Sequence, residues 1–230
     1  TIYVPHGVDD AAGNRHATIA AFDLATGTLR TSITLPGGHF TTQPVIDPAG
    51  GIIATTDATR FSGHLQRVVD NGTALGVAWT QLIVEDKERA GALKAVPSSL
   101  QIAGDRVVGV SSGPNNLASF GWADGSFGWS TPIGFTETNE VLVDGAGNAF
   151  VNHLSAGSDP KLKVISPNGE LIGQISGDHM GGVRTLGPLA ADGTLYAWGK
   201  EGNTWYALRN NPDGAVACPE GTSATVTCTK

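Results

Sequence analysis

The chain has 230 residues, a formal charge of −7, 15% charged residues and 32 glycines. So acidic a balance on so few ionic side chains argues against a nucleic-acid partner or an anionic membrane surface, both of which want clustered Lys and Arg. No apolar run approaches the length needed to cross a bilayer, so no membrane span is expected. The length allows one large core, and the Gly-rich, charge-poor composition describes many short strands joined by tight turns.

The chain opens on Thr1 with no signal-peptide pattern, which reads as a mature, processed or partial chain. A first unit spans candidate strands 2–5, 17–22 and 29–35. The second runs 42–46, 52–56, 64–69 and 76–83. The third runs 98–102, 106–110, 118–122 and 128–133. The fourth runs 140–143, 149–153, 161–165 and 171–175. The fifth runs 186–190, 194–198 and 204–208, with 215–218 as a candidate fourth strand. Between them stand Asp47-Pro-Ala-Gly-Gly51, Asp70-Asn-Gly72, Ala103-Gly-Asp105, Ala123-Asp-Gly125, Asp144-Gly-Ala-Gly-Asn148, Ser166-Pro-Asn-Gly169 and Ala191-Asp-Gly193, all strong turn signals. Superimposed, the units repeat at roughly 40 residues, the length of a four-stranded propeller blade. The expected architecture is therefore an all-β propeller of about five four-stranded blades, forming one domain over residues 1–230.

The first unit lacks an innermost strand. Either the tail, Ala224-Thr-Val-Thr-Cys228, returns to supply it and closes the ring, or the chain is part of a seven- or eight-bladed propeller. An open ring leaves an unpaired strand edge at each end, which favours closure by the segment 215–230.

The phrases Phe22-Asp-Leu-Ala-Thr-Gly27, Asp192-Gly-Thr-Leu-Tyr196 and Trp205-Tyr-Ala-Leu208, with the endings Gly125-Ser-Phe-Gly-Trp129 and Gly76-Val-Ala-Trp79, resemble the repeat of PQQ-like, or quinoprotein-type, β-propellers. In that family a small turn and a Trp near the outer strand dock neighbouring blades. Units one and four end Thr28-Leu-Arg-Thr-Ser-Ile33 and Glu170-Leu-Ile-Gly-Gln-Ile175 without that Trp, closer to other propeller subfamilies. The family includes cofactor-dependent alcohol dehydrogenases and non-catalytic scaffolds of bacterial envelope assembly. Neither the vicinal cysteines nor the calcium-binding carboxylates of the dehydrogenases has a match here, so the resemblance implies no quinone cofactor.

In a propeller the first-to-second and third-to-fourth connections share one face, and here they are tight. The other connections are long (7–16, 36–41, 57–63, 84–96, 111–117, 155–160 and 177–184), so that face is the expected working surface and the other a plain underside. All six histidines, His6, His16, His39, His64, His153 and His179, fall on or beside the long-loop face. They read either as a site that binds a metal ion or a substrate, or as ordinary polar loop and strand-end residues, since no H-x-H or H-x₃-H pair fixes a ligand geometry. Residues 84–95 break the pattern with the charge run Glu85-Asp-Lys-Glu-Arg89, a short insertion above that face.

The remaining chemistry is thin. Asp9-Asp10 sit in a long loop, and Asp144 to Asn148 have calcium-like spacing inside a tight turn, where Asp and Asn bond to their own backbone. Glu137, Glu140 and Asp178 could approach an axial pocket, but no spacing rule singles them out. No Gly-x-Ser-x-Gly elbow occurs, and Gly181-Gly-Val precedes a strand rather than a helix. Trp122, Trp129, Trp198 and Trp205 fall at strand positions that suit blade docking.

Cys218 and Cys228, the only two cysteines, lie ten residues apart and read as a disulfide, against two reduced thiols or half a metal site. That places the chain in an oxidising compartment: secreted, cell-surface or periplasmic. The expected function is a binding, scaffold or assembly module with a protein partner or larger extracellular assembly on the long-loop face; the alternative is a metal-dependent or quinoprotein-like enzyme on the histidine-bearing surface.

Overall fold

The computed structural model describes residues 1–40, 43–59, 62–84, 97–111, 116–133, 140–152, 162–175, 183–191, 193–199, 205–208 and 228–229. These residues form five antiparallel sheets, each a meander in which consecutive strands are neighbours. The first holds β1 (Ile2–Asp9), β2 (Arg15–Phe22) and β3 (Leu29–Thr34). The second holds β4 (Val45–Ile46), β5 (Ile52–Thr59), β6 (Ser62–Asp70) and β7 (Leu75–Val84). The third holds β8 (Pro97–Ala103), β9 (Arg106–Ser111), β10 (Asn116–Gly121) and β11 (Phe127–Pro132). The fourth holds β12 (Val141–Val143), β13 (Ala149–Asn152), β14 (Leu162–Ile165) and β15 (Leu171–Ile175). The fifth holds β16 (Val183–Leu189), β17 (Leu195–Gly199) and β18 (Trp205–Leu208). A final short strand, β19 (Cys228–Thr229), joins the fourth sheet.

Each pair of successive sheets encloses its own core, as blades do. Ile19, Leu35, Ile52 and Val68 fill the first seam, and Ile53, Leu65, Val107 and Phe120 the second. Val108, Leu117, Val141 and Val151 fill the third, and Leu162, Leu186 and Leu195 the fourth. The middle strands are buried on both faces: every residue of β10 is buried, which explains why their sequences run apolar instead of alternating. The five sheets match the five sequence units to within a few residues, and the β-propeller expectation holds.

The units share one irregularity. In sheets one to four the pairing of the outer two strands slips by a residue, after Ala21, Arg67, Ser119 and Val164. This bulge sets Thr31, Trp79, Trp129 and Gly173 opposite those four positions, so residues can be equated from sheet to sheet.

Two expectations need correction. The tail does not pair with the first sheet at Cys228–Thr229: these residues pair with Ile175 and Gln174, on the free outer edge of β15. An outer strand offers a row of unpaired backbone groups, and this short segment takes that edge instead of the inner one. Residues 215–227 and Cys218 lie outside the described residues, and so does the expected Cys218–Cys228 bond. The loops at 7–16 and 57–63 are also shorter than expected, because β1 continues to Asp9 and β5 to Thr59. His6 therefore stands inside a strand, opposite Thr18. The insertion 84–95 is outside the described residues but for Val84, the last residue of β7.

Candidate functional site

His16, at the start of β2, places Nε2 3.0 Å from Asp10 Oδ2. Asp10 also accepts from the backbone of Ala12 and Asn14, at 2.9 and 2.8 Å, and from the Asn14 amide. The His16 contact and these hydrogen bonds hold its carboxyl well below the usual carboxylate range. Both groups are exposed, so the pair organises the loop that it sits in and contributes little to global stability. His6 and His16 share a face of the first sheet with Val4 and Val8, pointing away from the second sheet.

His39 is exposed between β3 and β4, and its N–H donates to Asp57 Oδ1 at 2.5 Å while its C=O accepts from Asp57 N at 2.9 Å. His64 is the cross-strand partner of Thr56 within the second sheet, half-buried, with Nδ1 buried and unpartnered among the described residues. Beside it Thr56 donates to Pro36 O at 2.6 Å, and Gln66 donates to Thr56 Oγ1 at 2.9 Å. Four histidines thus divide between two surfaces, two on the outward face of the first sheet and two at the first seam. Among the described residues no three His, Cys, Asp or Glu side chains gather as metal ligands. His153 and His179 lie outside the described residues.

The other flagged groups resolve into structural chemistry. Asp144 caps its own turn through bonds from Ala146 and Asn148 at 2.9 and 2.8 Å, as turn chemistry requires. Glu140 accepts from Leu186 N at 2.7 Å across the fourth seam, and burial pushes its pKa up despite that bond. Glu137 and Asp178 lie outside the described residues. Trp122 sits in a turn and accepts from Trp79 Nε1 at 3.1 Å, and Trp129 donates to Pro167 O at 2.7 Å, so two tryptophans dock successive sheets. Trp205 packs edge-on against Trp198 but is 49% exposed, so it is not the buried blade-docking residue expected of it. In the first sheet the Trp position holds Thr31, and its neighbour Arg30 does the docking, donating to Gly72 O at 2.6 Å and pairing with Asp70, which also accepts from Tyr3 at 3.0 Å.

The tight-turn face is not a plain underside. A cleft of about 570 Å³ opens there at the third seam, between the turns of sheets three and four. Val108, Ser119 and Trp129 stand in one cross-strand row of its wall, with Arg106 next to them and Pro167 and Asn168 opposite. Ser119 is fully buried, and its Oγ has no hydrogen-bond partner among the described residues. The Arg106 guanidinium lies across Gly128, where a Cβ would come within 2.3 Å of it. The cleft escaped the sequence reading because no motif marks it. Its one signal is that Ser119 stands where the preceding unit has Arg67, visible only once the bulges align the units.

No protein-family model matches the chain, and no curated protein matches it. Solved structures do resemble it, among them the following three. A functionally unknown protein from Desulfotomaculum acetoxidans DSM 771 aligns over 87% of this chain and 61% of its own, with TM-score 0.62 and 18% identity. Kuenenia stuttgartiensis hydrazine synthase aligns over 93% of this chain and 64% of its own, with TM-score 0.60 and 12% identity. The β-propeller domain of Cps50 (Swd1) from Myceliophteria thermophila aligns over 94% and 73%, with TM-score 0.56 and 11% identity. Identities this low speak to the fold alone. The chain spans less than two thirds of the length of the first two.

Proposed function

We propose that this chain is a β-propeller binding or scaffold module, built of PQQ-like repeats and acting on a protein partner through its long-loop face. The observation that carries the reading is the division of labour between seam and rim. The seams are locked by docked tryptophans, by the Arg30–Asp70 pair and by the Arg67 guanidinium against Trp122, while Asp10 and His39 stand exposed on the rim and His16 half-exposed beside them. Polar side chains held on a rigid frame favour recognition, because little ordering entropy is lost on binding. We place the module in an oxidising compartment (secreted, cell-surface or periplasmic) on the strength of the Cys218 and Cys228 pair.

The separation of His6 and His16 from His39 and His64 favours this reading over a metal-dependent enzyme on the same face. Calorimetric titration of Zn²⁺ and of Ni²⁺ into chelator-treated protein tests the choice. Heats of dilution alone are expected. A saturable one-to-one site would overturn the binding-module reading in favour of the metalloenzyme.

A further inference from the structure

The second and third seams are built from the same parts, differently dealt. The shared bulge equates Arg67 with Ser119, Ile53 with Val108 and Trp79 with Trp129. Stepping back along the strands, Gly51 equates with Arg106 and Asp47 with Ala103, which face each other across the inner turn of each sheet. At the second seam Arg67 fills the space. Its Nε is 2.5 Å from Asp47 Oδ2, and its guanidinium carbon lies 5.5 Å from the centre of the Trp122 ring in the next sheet. Gly51 is what admits it, since a Cβ there would come within 2.6 Å of Arg67 Nε.

At the third seam the arginine comes from the neighbouring strand, as Arg106, and both the large side chain and the carboxylate are gone. Ser119 replaces the first and Ala103 the second, and the space they vacate is the cleft. Among the described residues Arg106 has no salt bridge: Asp105, on the same rim, is not within 4.0 Å of it, and Asp124 acts on it only from beyond that distance. The buried Ser119 Oγ is a second unpaired polar group on the same wall. A half-buried guanidinium with no carboxylate in direct contact, beside an orphaned hydroxyl, is costly unless something else supplies the acceptors.

We propose that this cleft binds a carboxylate-bearing ligand whose carboxylate pairs with Arg106 and Ser119, doing for the third seam what Asp47 does for the second. The apolar body of the ligand lies along Trp129 and Pro167. A volume of about 570 Å³ suits a small organic acid or the last two residues of a peptide, and both bring the same carboxylate.

The test is titration of the full chain with benzoate and with benzamide, followed by ¹H–¹⁵N spectra of the Arg106 and Trp129 side chains. Saturable shifts with benzoate and none with benzamide are expected. Arg106→Gln should weaken benzoate binding by about tenfold or more. Gly128→Ala keeps the charge but displaces the guanidinium, and should weaken it similarly. Ala103→Asp supplies the missing carboxylate internally, so it should raise Tm and abolish binding. N-acetyl-Gly-Phe and its C-terminal amide separate the sources. Tighter binding of the free peptide acid than of benzoate assigns a peptide C-terminus; the reverse order assigns a free organic acid. Equal response to benzoate and benzamide, an unchanged affinity in Arg106→Gln, or an Ala103→Asp variant that still binds would each overturn the proposal.

Discussion

Arg67→Ala is expected to lower stability by about 3–5 kcal/mol, because it leaves the Asp47 carboxylate buried without its counter-ion. The side chain of Asp47 is fully buried, and its remaining bonds come from Ala49 N at 2.8 Å and Gly51 N at 3.0 Å. For a chain of this size that corresponds to a Tm decrease on the order of 10 °C. The same pair gives the effect a pH dependence. Burial alone would raise the Asp47 pKa, but the Arg67 guanidinium and the two backbone amides outweigh it and hold the carboxyl below the usual range. A depressed folded pKa means that the pair stabilises the protein above the unfolded carboxyl pKa of about 3.9 and loses that contribution as pH falls below it. Thermal melts at pH 7 and pH 3 should therefore show a large gap between wild type and variant at pH 7 and a much smaller one at pH 3. An equal gap at both would mean that lost packing, not lost charge pairing, is what the variant reports.

Gly169→Ala is expected to cost about 2–3 kcal/mol, more than the backbone conformation alone explains. Gly169 has φ +85°, in the left-handed region, and a Cβ there would come within 2.7 Å of Trp129 Cδ2. The substitution therefore strains the turn and pushes the docked indole off the fourth sheet. Gly50→Ala is the control, since Gly50 has φ +84° and open space around the added methyl. It should cost about 1 kcal/mol, the conformational part by itself. Equal losses of Tm in the two variants would remove Trp129 from its docking role.

The fold was legible in the sequence because the turns were. Asp47-Pro-Ala-Gly-Gly51, Asp144-Gly-Ala-Gly-Asn148 and Ser166-Pro-Asn-Gly169 close with the same backbone pattern, and each puts the glycine at its fourth position at positive φ. Strand centres were legible for the same reason, while strand ends were not. Asp57 lies within β5 as a partner of the His39 backbone, and a polar residue used that way looks like a loop residue in sequence. The path of the tail was illegible because Cys228 and Thr229 suit any free edge equally, so nothing in their side chains chooses β15.

The site divides along similar lines. That His16 and His39 stand near the rim followed from strand order; which face each ring takes depends on register, and one residue of slip reverses it. The third-seam cleft depends on what is missing from Ser119 and Ala103. Small residues in strands look like ordinary packing until the neighbouring unit shows that Arg67 and Asp47 occupy the same places.

Native mass spectrometry of the protein isolated from its source without chelators tests the binding reading most directly. The expected species is the polypeptide accompanied by a partner chain or a small organic acid, released without loss of the fold. A stoichiometric metal ion or redox cofactor held by the polypeptide would contradict it.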